Sequence, residues 1–302
     1  MGIYVEIRVR GSLEELWRRT QQPELHERWD LRFSEIVYLP RPHEAAPQQF
    51  SYATRIGFGL RIRGEGESEG SRASATGERV LALTFWSRDA KSLIREGSGY
   101  WRYVPTADGV RFLTWYSYRT RFGLPGRLLD TLVVRPLMGW ATAWSFDRLR
   151  LWIEKGIDPA ISGQRSLIHA VARLSIAVVF LYQGLVPKLL YRHPTELATL
   201  LDAGLARSTA ETVLVSIGLL EMAFAGVMLA AWRTHWPLVA TVILMSVALA
   251  AVAYSSPGFL VTAFNVVTLN LAVAALAIVG WAASWDLPSA ARCLRERPVS
   301  EA

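Results

Sequence analysis

The sequence predicts two domains of different class: an α+β soluble domain with an antiparallel sheet and a long C-terminal helix, then an all-α bundle of four transmembrane helices. Charge is the first reason, because residues 1–160 hold 24 Lys/Arg and 19 Asp/Glu whereas residues 161–302 hold 9 and 7. The second is four apolar segments in the second half, each of 19 residues or more, close to the roughly 20 that cross a bilayer core. The third is the alternation of apolar and polar residues in the first half, typical of half-buried strands.

The soluble domain, residues 1–156, is predicted to begin with a strand. Apolar side chains alternate with polar ones over residues 3–9, so one face of this strand is buried. Ser12 lies three residues before Glu15, the spacing of a capping box, and predicts that an amphipathic helix follows. Pro23 ends that helix and opens a second short one.

A meander of strands comes next. Residues 50–62 are predicted as one strand, residues 64–70 as a polar turn, and residues 80–86, 100–104 and 110–120 as further strands. Ala107-Asp108-Gly109 supplies a hairpin turn before the last of them. These strands are expected to form an antiparallel sheet.

After Pro125-Gly126 the apolar period becomes helical and continues over residues 128–152, with a kink expected at Pro136. Residues 128–146 could also form a fifth span. Asp130 and Arg135 lie inside this stretch, however, and a charge near the centre of a span costs roughly 2.5–3.5 kcal/mol. A closing helix that lies against the bilayer is therefore the preferred interpretation.

This order of elements, together with the closing stretch Trp144-Ser145-Phe146-Asp147-Arg148-Leu149-Arg150, resembles the START/Bet v 1-like superfamily, also called SRPBCC. The resemblance implies a helix-grip fold with an apolar cavity between the sheet and the last helix, where members bind lipids, sterols and other hydrophobic molecules. It implies no catalytic motif. The same aromatic residues could instead pack a core. The candidate cavity residues are Phe50, Tyr52, Phe58, Trp86, Trp101, Phe112, Tyr116, Trp140 and Trp144.

The membrane domain, residues 165–287, is followed by a tail, residues 288–302. The predicted spans are residues 167–186, 211–232, 236–254 and 259–285. Four spans return the chain to the side on which it began. Lys155, Arg165, Arg233 and the arginines of the tail then share that side, which the positive-inside rule assigns to the cytoplasm. The N-terminus lacks the apolar core of a signal peptide, which agrees with a cytoplasmic soluble domain.

A second resemblance covers about residues 166–285. His169-Ala170-Val171-Ala172-Arg173-Leu174 and the turn Gly184-Leu185-Val186-Pro187-Lys188 are similar to the DoxX-like four-helix membrane family, as is Gly218-Leu219-Leu220-Glu221. Its fusion to an SRPBCC domain resembles a bacterial pairing, which implies the bacterial inner (plasma) membrane. Relatives include a quinone-reducing oxidoreductase subunit and parts of membrane redox complexes. The resemblance thus names a quinone or a lipid as the candidate cofactor.

Polar residues inside the spans form the second set of candidates. Glu221 falls near the middle of the second span, where an ionisable group is costly enough to suggest a function. Asn265 and Asn270 are its expected partners, either as interhelical glue or as part of a ligand or proton site. Arg173 shares a helix face with His169 and is expected to extend to lipid headgroups or to meet the soluble domain. The full set is Glu221, Asn265, Asn270, Gln183, His169, Arg173 and Lys188.

Several classes of function are disfavoured. The net charge of +7 is scattered without a basic run, which fits a membrane surface better than nucleic acid. Cys293 is the single cysteine, so an intrachain disulfide is excluded. We find no metal-ligand spacing, no nucleophile–base pair and no phosphate-binding glycine loop. The sequence therefore leans away from an enzyme.

The leading functional prediction is a cytoplasmic domain that binds a hydrophobic molecule, lipid or quinone-like, beside a DoxX-like bundle, with membrane lipids as further partners. One alternative is the membrane subunit of a quinone-linked oxidoreductase complex, which would work with redox partner proteins. The other is a structural membrane scaffold without a ligand.

Overall fold

The computed structural model describes residues 2–43, 46–57, 59–73, 77–263 and 265–298. The chain folds as two compact units. The first comprises Met1–Ser162 together with Asp286–Ala302, and the second comprises Gly163–Trp285. The C-terminal segment is thus part of the first unit, where the sequence suggested a separate tail.

The first unit contains a seven-stranded antiparallel sheet in the order β1-β7-β6-β5-β4-β3-β2. Its strands are β1 Ile3–Val9, β2 Glu35–Tyr38, β3 Gln48–Gly57, β4 Leu60–Ala73, β5 Arg79–Trp86, β6 Ile94–Thr106 and β7 Gly109–Thr120. Pairing of β1 with β7 places the first and last strands side by side. The predicted hairpin at Ala107-Asp108-Gly109 joins β6 to β7, which confirms that turn.

The prediction of one strand over residues 50–62 was wrong. Two strands occupy this region, and they turn sharply between Gly57 and Leu60, where Gly57 has a φ of 99° that favours glycine. The predicted polar turn at residues 64–70 lies inside β4 instead. Gly64 and Gly66 are needed there because an added Cβ would come within 2.3 Å of the Tyr52 ring and 2.4 Å of the Phe50 ring. Aromatic rings from β3 therefore lie across glycines of β4.

Nine α-helices are found in the part of the chain that the structure describes. In the first unit α1 is Leu13–Gln21, α2 Pro23–Trp29, α3 Gly123–Leu129 and α4 Arg135–Lys155, and a π-helical turn at Asp130–Val134 joins α3 to α4. Pro136 is the second residue of α4 and follows the π-helical turn directly, so an irregular helical turn lies next to the proline at which a kink was expected. Ser12 caps α1 by accepting from the Glu15 N–H at 3.1 Å, as predicted.

The core of the first unit lies between α4 and the β1-β7-β6 half of the sheet. Phe146 of α4 stacks on Phe112 of β7 with ring centres 4.4 Å apart, and Trp29 of α2 packs on the edge of Phe146 at 6.1 Å. All three side chains are fully buried. The helix therefore covers one half of the sheet.

The segment after the membrane helices completes this core. Glu6 and Leu294 exchange two backbone hydrogen bonds of 2.9 Å, and Ala290 and Cys293 belong to the buried apolar cluster. Asp147 of α4, fully buried, accepts from the Ser289 N–H at 2.7 Å and from the Arg292 guanidinium at 2.9 Å. This segment is joined to the sheet and the helix at several points.

The second unit is helical. The helices are α5 Pro159–Gln183, α6 Pro194–Asp202, α7 Arg207–Ala230, α8 Trp236–Ser255 and α9 Val266–Ala282, and a π-helical turn Gly184–Leu190 extends α5. Among the described residues, three helical segments are long and apolar enough to cross a membrane: Pro159–Leu190, Arg207–Ala230 and Trp236–Ser255. α9 is apolar but has 17 residues, so the predicted fourth span, residues 259–285, is shorter as a helix than expected. The core of this unit is formed by residues such as Ile176, Met228, Leu238 and Ala277.

Candidate functional site

An aromatic row lies on the helix-facing side of the sheet, in the half that α4 leaves uncovered. The row is Phe33, Tyr52, Phe50 and Tyr38. Neighbouring ring centres are 5.5 Å apart for Phe33–Tyr52, 6.3 Å for Phe50–Tyr52 and 6.4 Å for Tyr38–Phe50. Each side chain is partly exposed, up to 38% for Tyr38. Partial burial raises the pKa of Tyr52 to about 12, so the Tyr52 phenol is neutral at physiological pH.

The nine predicted cavity residues do not converge on one cavity. Phe50 and Tyr52 lie in the aromatic row, whereas Trp101, Phe112 and Tyr116 are buried in the packed core. Trp86 is on the opposite face of the sheet, where its indole N–H donates to Glu65 at 3.0 Å. Trp86 pairs with Glu65 of β4, whereas Phe50 pairs with the next residue of β4, Gly66. Consecutive residues of a strand point to opposite faces, so Trp86 and Phe50 lie on opposite faces of the sheet.

The remaining predicted residues lie elsewhere. Trp140 and Trp144 stack on each other on α4 at 6.2 Å, and Trp140 is exposed. Phe58 lies outside the described residues. Tyr38 was missed by sequence reasoning because the short strand β2 carries too few residues to show an alternating pattern, and Phe33 was missed because it lies in the loop before β2.

Buried polar groups accompany the core. Asp30 accepts from the Arg32 guanidinium at 2.6 Å and lies 3.1 Å from the His26 ring. Burial alone would raise the pKa of Asp30, but the Arg32 charge and the hydrogen bonds from His26 and Arg32 hold it well below its usual range. Nearer the closing helix, Tyr116 and Thr142 share a hydrogen bond of 2.9 Å.

A cavity of about 530 Å³ opens at the same edge of the sheet. Tyr52 is the one member of the aromatic row that contributes to its lining. The charged side chains in its wall are Arg61, Arg63, Arg88, Glu35, Glu65 and Asp89. Because positive and negative groups are balanced, this cavity suits a polar group better than the body of an apolar ligand.

In the second unit, Glu221 is paired with Lys188. Lys188 Nζ lies 3.0 Å from Glu221 Oε2 and 3.5 Å from Glu196 Oε2, and Lys188 is buried. The approach to Glu221 Oε2 is an ion-pair distance without the alignment of a hydrogen bond. The π-helical turn Gly184–Leu190 carries Lys188, and π turns of this kind are frequent at functional sites.

Asn265, one of the two predicted asparagine partners of Glu221, has another role. Asn265 precedes α9 and caps it, because its side-chain oxygen accepts from the Thr268 N–H at 2.9 Å. Asn270 is half-buried on α9. The assignment of Asn265 to a Glu221 cluster was therefore wrong, since sequence distance from a span end could not show that the helix begins only at Val266. The pairing of Glu221 with Asn270 stays a prediction.

A shallow pocket of about 390 Å³ adjoins the Lys188–Glu221–Glu196 cluster through Glu196. Gln183, one of the predicted polar residues, lines it together with Tyr182, Tyr191 and His193. His193 Nδ1 accepts from the Thr195 N–H at 3.3 Å, so in the neutral ring the proton is on Nε2.

Arg173 does not extend to headgroups, because it is completely buried. Its guanidinium donates to carbonyls at the end of α7, at 2.7 Å to Met228 O and 3.1 Å to Ala231 O, and it also reaches Thr234 O. Carbonyls in the last turn of a helix lack partners within that helix. Arg173 of α5 therefore caps α7.

His169 supports this cap. His169 Nδ1 lies 3.1 Å from Gly280 O, and Arg173 Nε donates to His169 Nε2 at 3.0 Å. Since Nε2 accepts, the ring proton is on Nδ1 and the imidazole is neutral. The pair links α5, α7 and α9.

The seven-stranded antiparallel sheet with its closing helix is a helix-grip fold, and it is followed by three helical segments, among the described residues, that are long and apolar enough to cross a membrane. The model of the DoxX-like family matches residues 177–278. An uncharacterized membrane protein of Bacillus subtilis (strain 168), YndG, is 47% identical over 183 residues, which are 60% of this chain and 68% of YndG. The chain therefore belongs to the family of YndG and contains a DoxX-like domain at residues 177–278.

Solved structures of similar shape match about half of the chain. TTHA0849 from Thermus thermophilus is 16% identical, covers 52% of this chain and 99% of its own, and has a TM-score of 0.41. A STAR-related lipid transfer protein from Xanthomonas axonopodis is 16% identical, covers 50% and 85%, and scores 0.39. These similarities concern the fold alone, which the strand order and the closing helix define.

Proposed function

We propose that the first unit binds a hydrophobic molecule, lipid or quinone-like, against the aromatic row of Phe33, Tyr52, Phe50 and Tyr38. The single observation that supports this most directly is that the row is partly exposed on the helix-facing side of the sheet. Aromatic side chains in a monomer's core are normally covered, and small-molecule sites are commonly apolar and aromatic. The row is therefore the surface on which an apolar ligand would exclude water.

The architecture around the row favours a flat or extended ligand. Gly64 and Gly66 let the Tyr52 and Phe50 rings lie close to the sheet, which leaves their outer faces open. The charged cavity lies across the sheet from these rings, because Arg63 and Glu65 alternate out of phase with Tyr52, so the proposed site is the apolar row itself. Membrane lipids are the nearest source of such molecules for a membrane protein, and exchange with the bilayer is part of the proposal.

We place this unit in the cytoplasm of a bacterial cell, at the inner membrane. Because the residues on both sides of the helical unit belong to the first unit, an even number of crossings is required. Three helical segments are long enough to cross, so the 17-residue helix α9 supplies the fourth crossing. Its length of about 25 Å at ~1.5 Å per residue is close to the ~30 Å core of a bilayer.

A photoactivatable fatty acid carrying a diazirine tests the ligand site. The full chain, purified in detergent, is crosslinked and digested, and the labelled peptides are identified by mass spectrometry. We expect label in the peptides of β2 and β3. Tyr52→Ala should reduce the yield several-fold because it removes the central ring of the row.

The matched control is Tyr100→Ala. Tyr100 is also half-buried, but it stacks on Trp115 on the other face of the sheet, so its loss should leave the crosslink unchanged. Equal yields from the parent and Tyr52→Ala, or label confined to other peptides, would remove the aromatic row as the ligand site.

A quinone-linked membrane subunit is the second candidate function. It is favoured by the Lys188–Glu221–Glu196 cluster and the adjoining pocket, where the His193 and Gln183 side chains offer hydrogen-bond donors to a quinone carbonyl. Quinone content of the purified chain, measured by chromatography, should exceed the quinone-to-lipid ratio of the source membrane. His193→Phe and Glu196→Gln should lower it. Quinone at or below the membrane ratio would leave this candidate without support.

A further inference from the structure

The stretch from α3 to the start of α4 presents an apolar surface to the outside. Leu124, Leu128 and Leu132 form one row at four-residue spacing, and Leu129, Val133 and Leu137 form the neighbouring row. Their exposed fractions run from 51% for Leu129 and Val133 to 74% for Leu132. We call these six residues the leucine surface. An exposed apolar patch of this kind is unusual in a water-soluble surface and marks an interaction site.

The inner side of the same stretch is held to the sheet. Asp130, in the π-helical turn, is buried and accepts from the Tyr118 hydroxyl at 2.6 Å and from Arg135 Nε at 2.9 Å. The polar contacts therefore point inward and the leucines outward. The exposed leucines are a fixed face of the fold rather than the result of a loose helix.

The charges around the leucine surface have one sign. Asp130 is the only acidic residue between Phe122 and Phe146, and Arg135 pairs with it. Arg127, between the leucines, is exposed. A surface of leucines with an exposed arginine suits the interface of a bilayer containing anionic lipids. Trp140 follows at the edge of the surface, 42% exposed, and tryptophan is enriched at the level of lipid headgroups.

We propose that the leucine surface inserts into the headgroup and acyl boundary of the membrane that this chain crosses. The occupant is the bilayer, because the chain is a membrane protein and the exposed charge of the stretch is basic. The stretch then acts as an in-plane amphipathic anchor of the first unit. This inference does not depend on the ligand proposed above.

The test uses the full chain reconstituted in vesicles of phosphatidylcholine and phosphatidylglycerol. In a Cys293→Ala background, a nitroxide is attached to Leu128→Cys, Leu132→Cys or, as a control on an exposed strand position, Arg8→Cys. Electron paramagnetic resonance then compares accessibility to oxygen, which concentrates in the bilayer, with accessibility to a water-soluble nickel chelate. We expect the oxygen-to-nickel ratio at positions 128 and 132 to exceed that at position 8 several-fold.

Three results would overturn the proposal. A ratio at positions 128 and 132 equal to that at position 8 would place the leucine surface in water. Low accessibility to both reagents would show that protein covers it, and dipolar broadening that disappears on dilution with unlabelled protein would identify a second copy as the cover. A high ratio at position 8 as well would show that the whole unit is embedded, without a specific face.

Discussion

The two units bury charge in opposite ways. In the first unit the deeply buried charges are carboxylates, and arginines come to them: Arg32 to Asp30, Arg135 to Asp130, and Arg150 with Arg292 to Asp147. In the second unit the buried charges are cations. Arg173 is surrounded by backbone carbonyls, and Lys188 lies between two glutamates.

The difference follows from what each unit must satisfy. A buried aspartate accepts several hydrogen bonds at once and can join elements distant in sequence, as Asp147 does for α4 and the C-terminal segment. In a membrane, helix ends that pack inside the bundle leave carbonyls that water does not reach. One arginine, with five N–H donors, can satisfy several of them. In both units a buried charge joins separate elements of the fold. Its sign depends on whether the groups that need a hydrogen-bond partner there are donors or acceptors.

The largest effect is expected from Arg173→Met. The substitution leaves the carbonyls of Met228, Ala231 and Thr234 without their donor, and each buried unsatisfied group costs about 1–3 kcal/mol. We expect a strongly lowered thermal midpoint in detergent, or loss of the folded protein. Arg173→Lys should be intermediate, because one ammonium cannot match the planar fork of the guanidinium.

Arg165→Met is the matched control for that change. Arg165 belongs to the same helix and is exposed, so its removal should hardly alter the midpoint. If Arg173→Met were as stable as Arg165→Met, the carbonyl-capping role of Arg173 would be wrong.

The second effect concerns Asp147→Ala, which should release the C-terminal segment. Removing one partner of a buried ion pair costs about 3–5 kcal/mol. Burial raises the pKa of the Cys293 thiol to about 12, so maleimide should label it slowly in the parent. Labelling in Asp147→Ala should be many times faster. Arg292→Ala, which removes a partly exposed partner, should give a much smaller increase; identical rates in all three proteins would contradict the contact.

A third, smaller effect is a loss of stability in acid that depends on Asp30. Its pKa is lowered in the folded state by Arg32 and His26 against the effect of burial, while the unfolded value is about 3.9. A lowered folded pKa contributes stability that is present above the unfolded pKa and lost as pH falls through it towards the folded value. Unfolding of the parent should therefore become easier as pH drops below about 4, and Asp30→Asn should flatten that dependence. An unchanged slope in Asp30→Asn would show that other carboxylates dominate.

The smallest effects on stability are expected from removing one helix cap in each unit. Ser12→Ala and Asn265→Ala each remove a side-chain acceptor for an N–H three residues on, and such losses typically cost about 1 kcal/mol. Similar small shifts in the thermal midpoint are expected. A much larger loss for Asn265→Ala would favour the role inside the bundle that the sequence predicted for Asn265.

Much of the fold could be predicted because its signals are local. The alternation in residues 3–9 and the capping box at Ser12 were sufficient for β1 and α1, and an uncharged apolar run was sufficient for α8. The glycines at positions 64 and 66 misled because their role is set by rings on the neighbouring strand. A glycine that makes room for Phe50 looks the same in sequence as one in a turn.

The candidate sites were harder to predict because they depend on distant pairs. Lys188 and Glu221 were each chosen as intramembrane polar residues, but their pairing spans two helices that no local pattern aligns. The return of Cys293 to the core beside Ala143 depends on a contact between residues 150 positions apart. One available signal was missed: a buried glutamate calls for a cation, and Lys188 was the only lysine in residues 161–302.

The most direct test of the account is the sidedness of both ends of the first unit. In a Cys293→Ala background, Arg10→Cys, Arg297→Cys and Arg207→Cys are exposed to a membrane-impermeant maleimide in intact and in permeabilised spheroplasts. If the first unit is cytoplasmic and four helices cross the membrane, as proposed above, Arg10→Cys and Arg297→Cys should react only after permeabilisation, and Arg207→Cys should react in both. Reaction of Arg10→Cys and Arg297→Cys from opposite sides would contradict the shared unit and the even number of crossings.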